Sequence, residues 1–269
     1  MEIINCTNFA GDLLDILKQS VHKIDKSLKL AVVITNKYEE KTFDELFAIA
    51  NQLDVEINNV YTESKDGLLK QLLRLNEDDS CSGIYLTKLS PELKDYEVLI
   101  NSSILPNKDV GAVNIVNSGL INYNQQVILP PSAAAVIKIL DNIKMPLVGK
   151  NVTIVNRTNY IGKPLANALL FQNCTVTVCH SYTRNLKKFT KQADLLISAI
   201  GQPNFINNQM VKKDAVVVDI GYSEVDDNIF GDVYKEDVEN IIKMMNDPVG
   251  MHKLIQTFVF YNLIRLANI

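Results

Sequence analysis

"NRTNYIGKP", residues 156–164, follows the apolar run "KNVTIV" and precedes "LANALL". An apolar run, a tight polar turn and an alanine-rich run read as strand, turn and helix, the opening unit of a dinucleotide fold. Such a turn presents backbone N–H groups and the positive end of a helix dipole, and both suit a pyrophosphate. The common fingerprint spaces three glycines as G-x-G-x-x-G. Here the positions are Asn156, Thr158 and Gly162, one residue longer. Asn tolerates left-handed backbone angles better than most residues, and Thr158 carries a hydroxyl that can donate to a phosphate. On spacing alone, an ordinary strand-to-helix loop reads equally well.

The next strand end discriminates better. NAD enzymes commonly place an acid there to hold the ribose hydroxyls. "VCHSYTR" has none and offers Ser181 and Arg184, with Arg157 in the preceding turn. A guanidinium and a hydroxyl suit a 2′-phosphate, which favours NADP over NAD. Lys187, Lys188 and Lys191 read as a solvated helix face. "AIGQP" and "DIGYS" end two further strands on Gly201 and Gly221. Glycines at successive strand ends let a ring or ribose lie against the backbone.

Outward from this region the chain alternates strands with helices. "LKLAVVIT", "EINNVYT" and "SGIYLT" read as strands, separated by the helical patterns "TFDELFAIANQL" and "GLLKQLLRLN". That order implies an α/β protein with mostly parallel sheets. "ILPPSAAAVIKILDNI" reads as a helix joining two domains, with Ser132 as its N-cap. The terminal "HKLIQTFVFYNLIRLANI" is an apolar helix that must dock on another surface. The expected domains are 1–126 with the C-terminal helix 250–269, and 127–249.

The 269 residues are 47% hydrophobic and 22% charged, enough for two modest domains. A net charge of −4 argues against nucleic-acid binding, which draws on a basic face. No apolar run reaches the roughly 18 residues of a membrane span, so no membrane association is expected. The opening residues lack a signal-peptide pattern, and the expected location is cytoplasmic. Cys6, Cys81, Cys174 and Cys179 form no C-x-x-C pair, and the three histidines are far apart, so no metal site is expected.

Taken in order, "NRTNYIGKP", "TVTVCHSYTRNL", "ADLLISAIGQPNFI", "VVVDIGY" and "FGDV" resemble the FolD family, the methylenetetrahydrofolate dehydrogenase/methenyltetrahydrofolate cyclohydrolases. The match runs without gaps from about residue 147 to 236. The resemblance implies an N-terminal α/β folate-type domain, a C-terminal Rossmann-like NADP-binding domain, a folate-type small-molecule substrate, and a homodimer. It carries Arg157, Thr158 and Ser181 over to cofactor contacts, with Arg157 and Ser181 at the 2′-phosphate. Asn156 stands where the family has Gly, and Tyr222 where it has Ile. The expected cofactor residues are therefore Asn156, Arg157, Thr158, Ser181, Gly201 and Tyr222.

The first domain departs from the family pattern at its chemical positions. Counting along the helix of "TFDELF" puts Thr42 at the family's Tyr and Leu46 at its Lys. Thr87 replaces a Gln, and Gly111 replaces a folate-contacting Asp. Of the family's proline- and glycine-rich segment near the C-terminus, Pro248 and Gly250 remain as the expected substrate contacts. Lys41 or Lys88 are the candidate replacements for the lysine, and Asp109 or Asp247 for the acid. No catalytic residue is assigned. Hydride transfer depends mostly on positioning, whereas the cyclohydrolase step moves protons and needs a tuned group that Leu46 lacks. The expected function is an NADP-dependent methylenetetrahydrofolate dehydrogenase with cyclohydrolase activity weak or lost. The alternative is a non-catalytic homologue of the same fold that binds a nucleotide or partner.

Overall fold

A computed structural model of the chain describes residues 1–36, 43–125, 128–226 and 228–268. In chain order its elements are β1 (Glu2–Ile4), α1 (Cys6–Val21), β2 (Lys29–Ile34), α2 (Asp44–Leu53), β3 (Glu56–Tyr61), α3 (Lys65–Glu77) and β4 (Gly83–Leu86). A 3-10 helix (Pro91–Tyr96), α4 (Glu97–Ser102) and α5 (Ile115–Ile121) follow. Next come α6 (Pro131–Asn142), β5 (Asn151–Val155), α7 (Gly162–Phe171), β6 (Thr175–Cys179), α8 (Leu186–Thr190), β7 (Leu195–Ser198) and β8 (Val216–Asp219). The chain ends with β9 (Ser223–Val225), β10 (Asn228–Phe230), α9 (Lys235–Val238), β11 (Met244–Asn246) and α10 (Pro248–Ala267). It divides into two compact units, Met1–Gly11 with Ser132–Ile255, and Asp12–Pro131 with Gln256–Ile269.

The unit built on residues 12–131 holds a parallel sheet in the order β3-β2-β4. β2 is buried along nearly its whole length, as the central strand of a covered parallel sheet must be. α2 buries Leu46, Ile49, Ala50 and Leu53, a spacing that puts them on one helical face. It stops at Asp54, whose backbone turns left-handed (φ 54°) and whose N–H returns to Ala50 O. In α3 the Ser64 hydroxyl accepts from Gly67 N–H, and Leu68, Leu72 and Leu75 are buried. They pack with Ala31, Val33, Ile84, Ile100 and Ile104 into one core. The second half of α10 belongs here, and Asn262 Nδ2 donates to Val110 O (2.9 Å) and Leu129 O (2.8 Å).

The other unit holds a six-stranded parallel sheet in the order β1-β11-β8-β7-β5-β6. From β5 the chain first moves to β6, then crosses back to β7 on the other side of β5. Strand order therefore reverses between β5 and β7, where open α/β sheets bind ligands. The registers Val155↔Cys179, Val155↔Ser198 and Ser198↔Asp219 align four carboxyl ends along one edge. β9 and β10 form a separate antiparallel pair.

Two local features differ from the sequence reading. β1 pairs with β11 (Glu2↔Met244 to Ile4↔Asn246), which places the first residues in this unit and not with the rest of 1–126. α6 begins at Pro131, so Ser132 lies within the first turn and is not the N-cap. Proline suits the first helical position because its φ is already helical and its missing N–H would have had no partner.

Candidate cofactor site

The turn after β5 is organised by Asn156. Its Oδ1 accepts from Thr158 N–H (2.8 Å), the Thr158 hydroxyl (2.8 Å) and Gly162 N–H (3.0 Å). Its Nδ2 donates to Ala199 O (2.7 Å), joining the ends of β5 and β7 at the reversal of strand order. Gly162 opens α7 against this turn. A Cβ there would collide with Asn156 O and lie 2.5 Å from Asn156 C, so only glycine lets the chain come this close.

At the end of β6 the turn is self-supported. Thr183 Oγ1 accepts from His180 N–H (2.8 Å), and His180 Nδ1 accepts from Tyr182 N–H (3.2 Å). Ser181 and Tyr182 are exposed. The Arg157 guanidinium lies over the Tyr182 ring, 5.5 Å from its centroid. That cation–π contact brings the exposed Arg157 to the turn that carries Ser181. Arg184 is exposed on the same turn.

Two buried carboxylates shape the remaining strand ends. Asp232 Oδ2 accepts from the Ser198 hydroxyl (2.8 Å) and Ile200 N–H (2.6 Å), and Oδ1 from Gly201 N–H (2.8 Å) and Gln202 N–H (3.0 Å). It thereby fixes the "AIGQP" loop, where Gly201 takes φ 74° and is exposed. Asp219 Oδ1 accepts from Gly221 N–H (2.8 Å) and Asp232 N–H (3.1 Å), and Oδ2 from Val233 N–H (2.9 Å). Burial, and then the charge of Asp232, raise the Asp219 carboxyl to about 7. Asn246 exchanges two 2.8 Å bonds with the Asp219 backbone and so ties β11 to β8. Glycine is required at Gly221, where a Cβ would lie 2.6 Å from Asp232 N and still nearer its carboxyl. The "DIG" and "FGDV" motifs thus form one polar cluster that holds the loops of the crevice.

Tyr222, just beyond β8, stacks on His252 of α10, with ring centroids 4.3 Å apart and planes at 28°. Burial and then Glu224 raise its phenol above the ordinary value. At the start of α10, Asp247 Oδ1 accepts from Gly250 N–H (2.5 Å). Gly250 is buried, and a Cβ there would lie 2.9 Å from Thr7 N, so packing alone accounts for the glycine. Pro248 and Asp247 line a cavity of about 470 Å³ with Asp219, Gly231, Met245 and Asn246. Burial, and then Asp247, push the Cys6 thiol up to about 12, and all four cysteines are buried. Among the described residues no cluster of His, Cys, Asp or Glu could hold a metal.

In the other unit, Leu46 is fully buried on α2. Asp109 is also fully buried and committed to its own loop, accepting from Val113 N–H (3.1 Å), Asn114 N–H (2.8 Å) and Asn117 Nδ2 (2.9 Å). Burial raises its carboxyl despite these bonds. Thr87 is buried, and its hydroxyl has no hydrogen-bond partner among the described residues. Lys88 is exposed. At Gly111 a Cβ would meet Val113 at 3.5 Å, an ordinary contact, so the backbone does not demand glycine there. Thr42 and Lys41 lie outside the described residues. The tie from Asn156 to Ala199 and the stack of Tyr222 on His252 have no signature in the sequence, because each joins residues 30 or more apart.

Residues 130–268 match the family model described as tetrahydrofolate dehydrogenase/cyclohydrolase, NAD(P)-binding domain. The bifunctional protein FolD of Thermosipho africanus is 33% identical over 271 residues, covering 99% of this chain and 98% of the relative. The crystal structure of the bifunctional enzyme FolD from Campylobacter jejuni superposes with a TM-score of 0.90 at 27% identity, covering 100% of this chain and 99% of the other. The bifunctional dehydrogenase/cyclohydrolase from Thermoplasma acidophilum gives 0.87 at 28% identity, with coverage of 99% and 98%. The family match across the crevice-bearing unit and the full-length likeness agree with the geometry, and the chain belongs to the FolD family of methylenetetrahydrofolate dehydrogenase/cyclohydrolases.

Proposed function

We propose that this chain is an NADP-dependent methylenetetrahydrofolate dehydrogenase of one-carbon metabolism whose cyclohydrolase activity is weak or lost. The observation that carries the cofactor half is the meeting of the β5 and β6 turns. Exposed Arg157 lies over Tyr182 beside exposed Ser181, and the turn from His180 to Asn185 contains no acid. That donor set fits a 2′-phosphate and lacks the carboxylate that usually accepts from a ribose hydroxyl pair. NADP, when bound, supplies the hydride acceptor. The chain's own residues bind and orient it, with Thr158 and the backbone of Asn156 at its phosphates, Arg157 and Ser181 at the 2′-phosphate, and Gly201 and Tyr222 along the further strand ends. On this reading 132–255 with 1–11 is the cofactor domain. Residues 12–131 with 256–269 form the folate-type domain, and Pro248 and Gly250 border the substrate.

Loss of the cyclohydrolase step rests on Leu46. The family's lysine position is here an apolar side chain with 0% exposure, which can neither take nor give a proton. Asp109, already satisfied by three bonds within its loop, is poorly placed to replace the acid absent at Gly111. Hydride transfer requires only that the two reactants be held in line, and it survives these changes.

The test is to supply methylene-tetrahydrofolate and NADP and follow NADPH and methenyl-tetrahydrofolate separately. NADPH should form while methenyl-tetrahydrofolate accumulates. No NADPH at high enzyme concentration, with NADP bound in calorimetry, would instead fit the non-catalytic homologue. Double replacement Leu46→Lys with Gly111→Asp should then raise methenyl consumption. The homodimer and the cytoplasmic location belong to the same reading, and light scattering at micromolar concentration checks the first.

A further inference from the structure

We propose that Asn156 sets the affinity of the β5 turn for phosphate, because its carboxamide oxygen occupies donors that the turn would otherwise present to a phosphate oxygen. This rests on reading the turn as a dinucleotide site. Three donors converge on Asn156 Oδ1, namely Thr158 N–H, the Thr158 hydroxyl and Gly162 N–H, at 2.8, 2.8 and 3.0 Å. Gly162 is the first residue of α7, so one N–H at a helix N-terminus and the N–H and hydroxyl of Thr158 in the turn before it are engaged by one neutral oxygen. An anionic oxygen would take the same donors with a stronger field.

The other end of the carboxamide fixes its orientation. Nδ2 donates to Ala199 O at 2.7 Å. Turning the amide over would set an NH2 against three donors and an oxygen against a carbonyl, so only one of the two orientations is satisfied. Asn156 therefore acts as an internal competitor. A phosphate reaching these donors must displace Oδ1, and with it strain or break the tie between β5 and β7. The glycine found here in the family pattern has no side chain with which to compete. Asn156 is thus an affinity-setting residue and not a catalytic one.

Calorimetric titration of the full chain with NADP and with inorganic pyrophosphate tests this. Asn156→Ala and Asn156→Gly should bind both probes about threefold to tenfold more tightly, the scale of one net hydrogen bond exchanged. Asn156→Asp keeps the acceptors and adds charge, and should bind both at least about tenfold more weakly. Thermal melts check that each variant is folded. A readout free of any variant is the side-chain amide signal of Asn156 in NMR, which should shift and lose exchange protection on saturation with pyrophosphate. Equal or weaker binding by the Ala and Gly variants, or an unmoved side-chain amide at saturation, overturns the proposal. Tighter pyrophosphate binding by the variants with no NADP binding by any form upholds the role of Asn156 and overturns the dinucleotide reading instead.

Discussion

Replacing Asp232 by Asn changes one atom in a site that accepts four hydrogen bonds. Ser198 and Ile200 donate to one oxygen, Gly201 and Gln202 to the other, and Asp232 is fully buried. Whichever oxygen becomes NH2 then faces two donors. Two bonds to a charged acceptor are lost, at about 1.5–3 kcal/mol each, or roughly 3–6 kcal/mol before relaxation. The variant also removes one of the two causes that raise Asp219. The sign follows from linkage. Asp219 is raised from 3.8 to about 7, so its stabilising contribution is complete below the unfolded value and is lost as pH rises through about 7. A rise of that size corresponds to a ceiling of about 4 kcal/mol across that window. Without the Asp232 charge, Asp219 titrates lower and the wild-type loss shrinks. Asp232→Asn should therefore cost more at pH 5 than at pH 8, with a net value of about 2–5 kcal/mol at pH 5. Urea unfolding at both pH values measures this, and hydrogen exchange at Ile200, Gly201 and Gln202 reports the loop directly. A cost below about 1 kcal/mol at pH 5, or an identical cost at both, would refute the account of the paired carboxylates.

Three further outcomes are expected. Gly162→Ala drives a Cβ into the Asn156 backbone, which cannot swing aside, and should destabilise by about 2–3 kcal/mol in urea unfolding and abolish measurable NADP binding. Arg157→Ala should weaken NADP binding by roughly 10- to 100-fold, the worth of a charge-assisted bond, while NAD binding changes less than about threefold in parallel calorimetry. Gly83→Ala places a Cβ 2.5 Å from Val110 Cγ2 and 2.7 Å from Leu263 Cδ1. Those are side-chain ends that can move, so a smaller loss of about 1–2 kcal/mol is expected from a thermal melt, without effect on NADP affinity.

The crevice was legible where local pattern decides structure. β5, β6, β7 and β8 are short Val-, Ile- and Leu-rich runs that end on polar or glycine-bearing turns, so strand ends and candidate contacts could be read together. Arg157 and Ser181 were likewise visible as residue types at such ends. The work done by Asp219 and Asp232 was not. Their motifs are plain in the sequence, but their bonds depend on two loops meeting across the end of β8. Gly250 carries two reasons at once. Its motif suggests a ligand, and its packing against Thr7 and Asp247 gives a sufficient reason of another kind. The 3-10 helix, α4 and α5 are too short to show periodicity, and β1 has three residues, too few for alternation to mark it.

The pairing of β1 with β11 has a consequence for how the chain is made. Glu2 lies opposite Met244, about 240 residues later. During synthesis β1 leaves the ribosome early and waits for its partner, just as the three-stranded unit, whose sheet lies between residues 29 and 86, waits for the second half of α10. Contacts of such long separation are slow to form. Until then β11 and β8 carry an open edge, which is an invitation to mispairing between nascent chains. Deleting residues 1–5 should thus leave early folding untouched and show itself late, as aggregation of chains that are otherwise nearly complete.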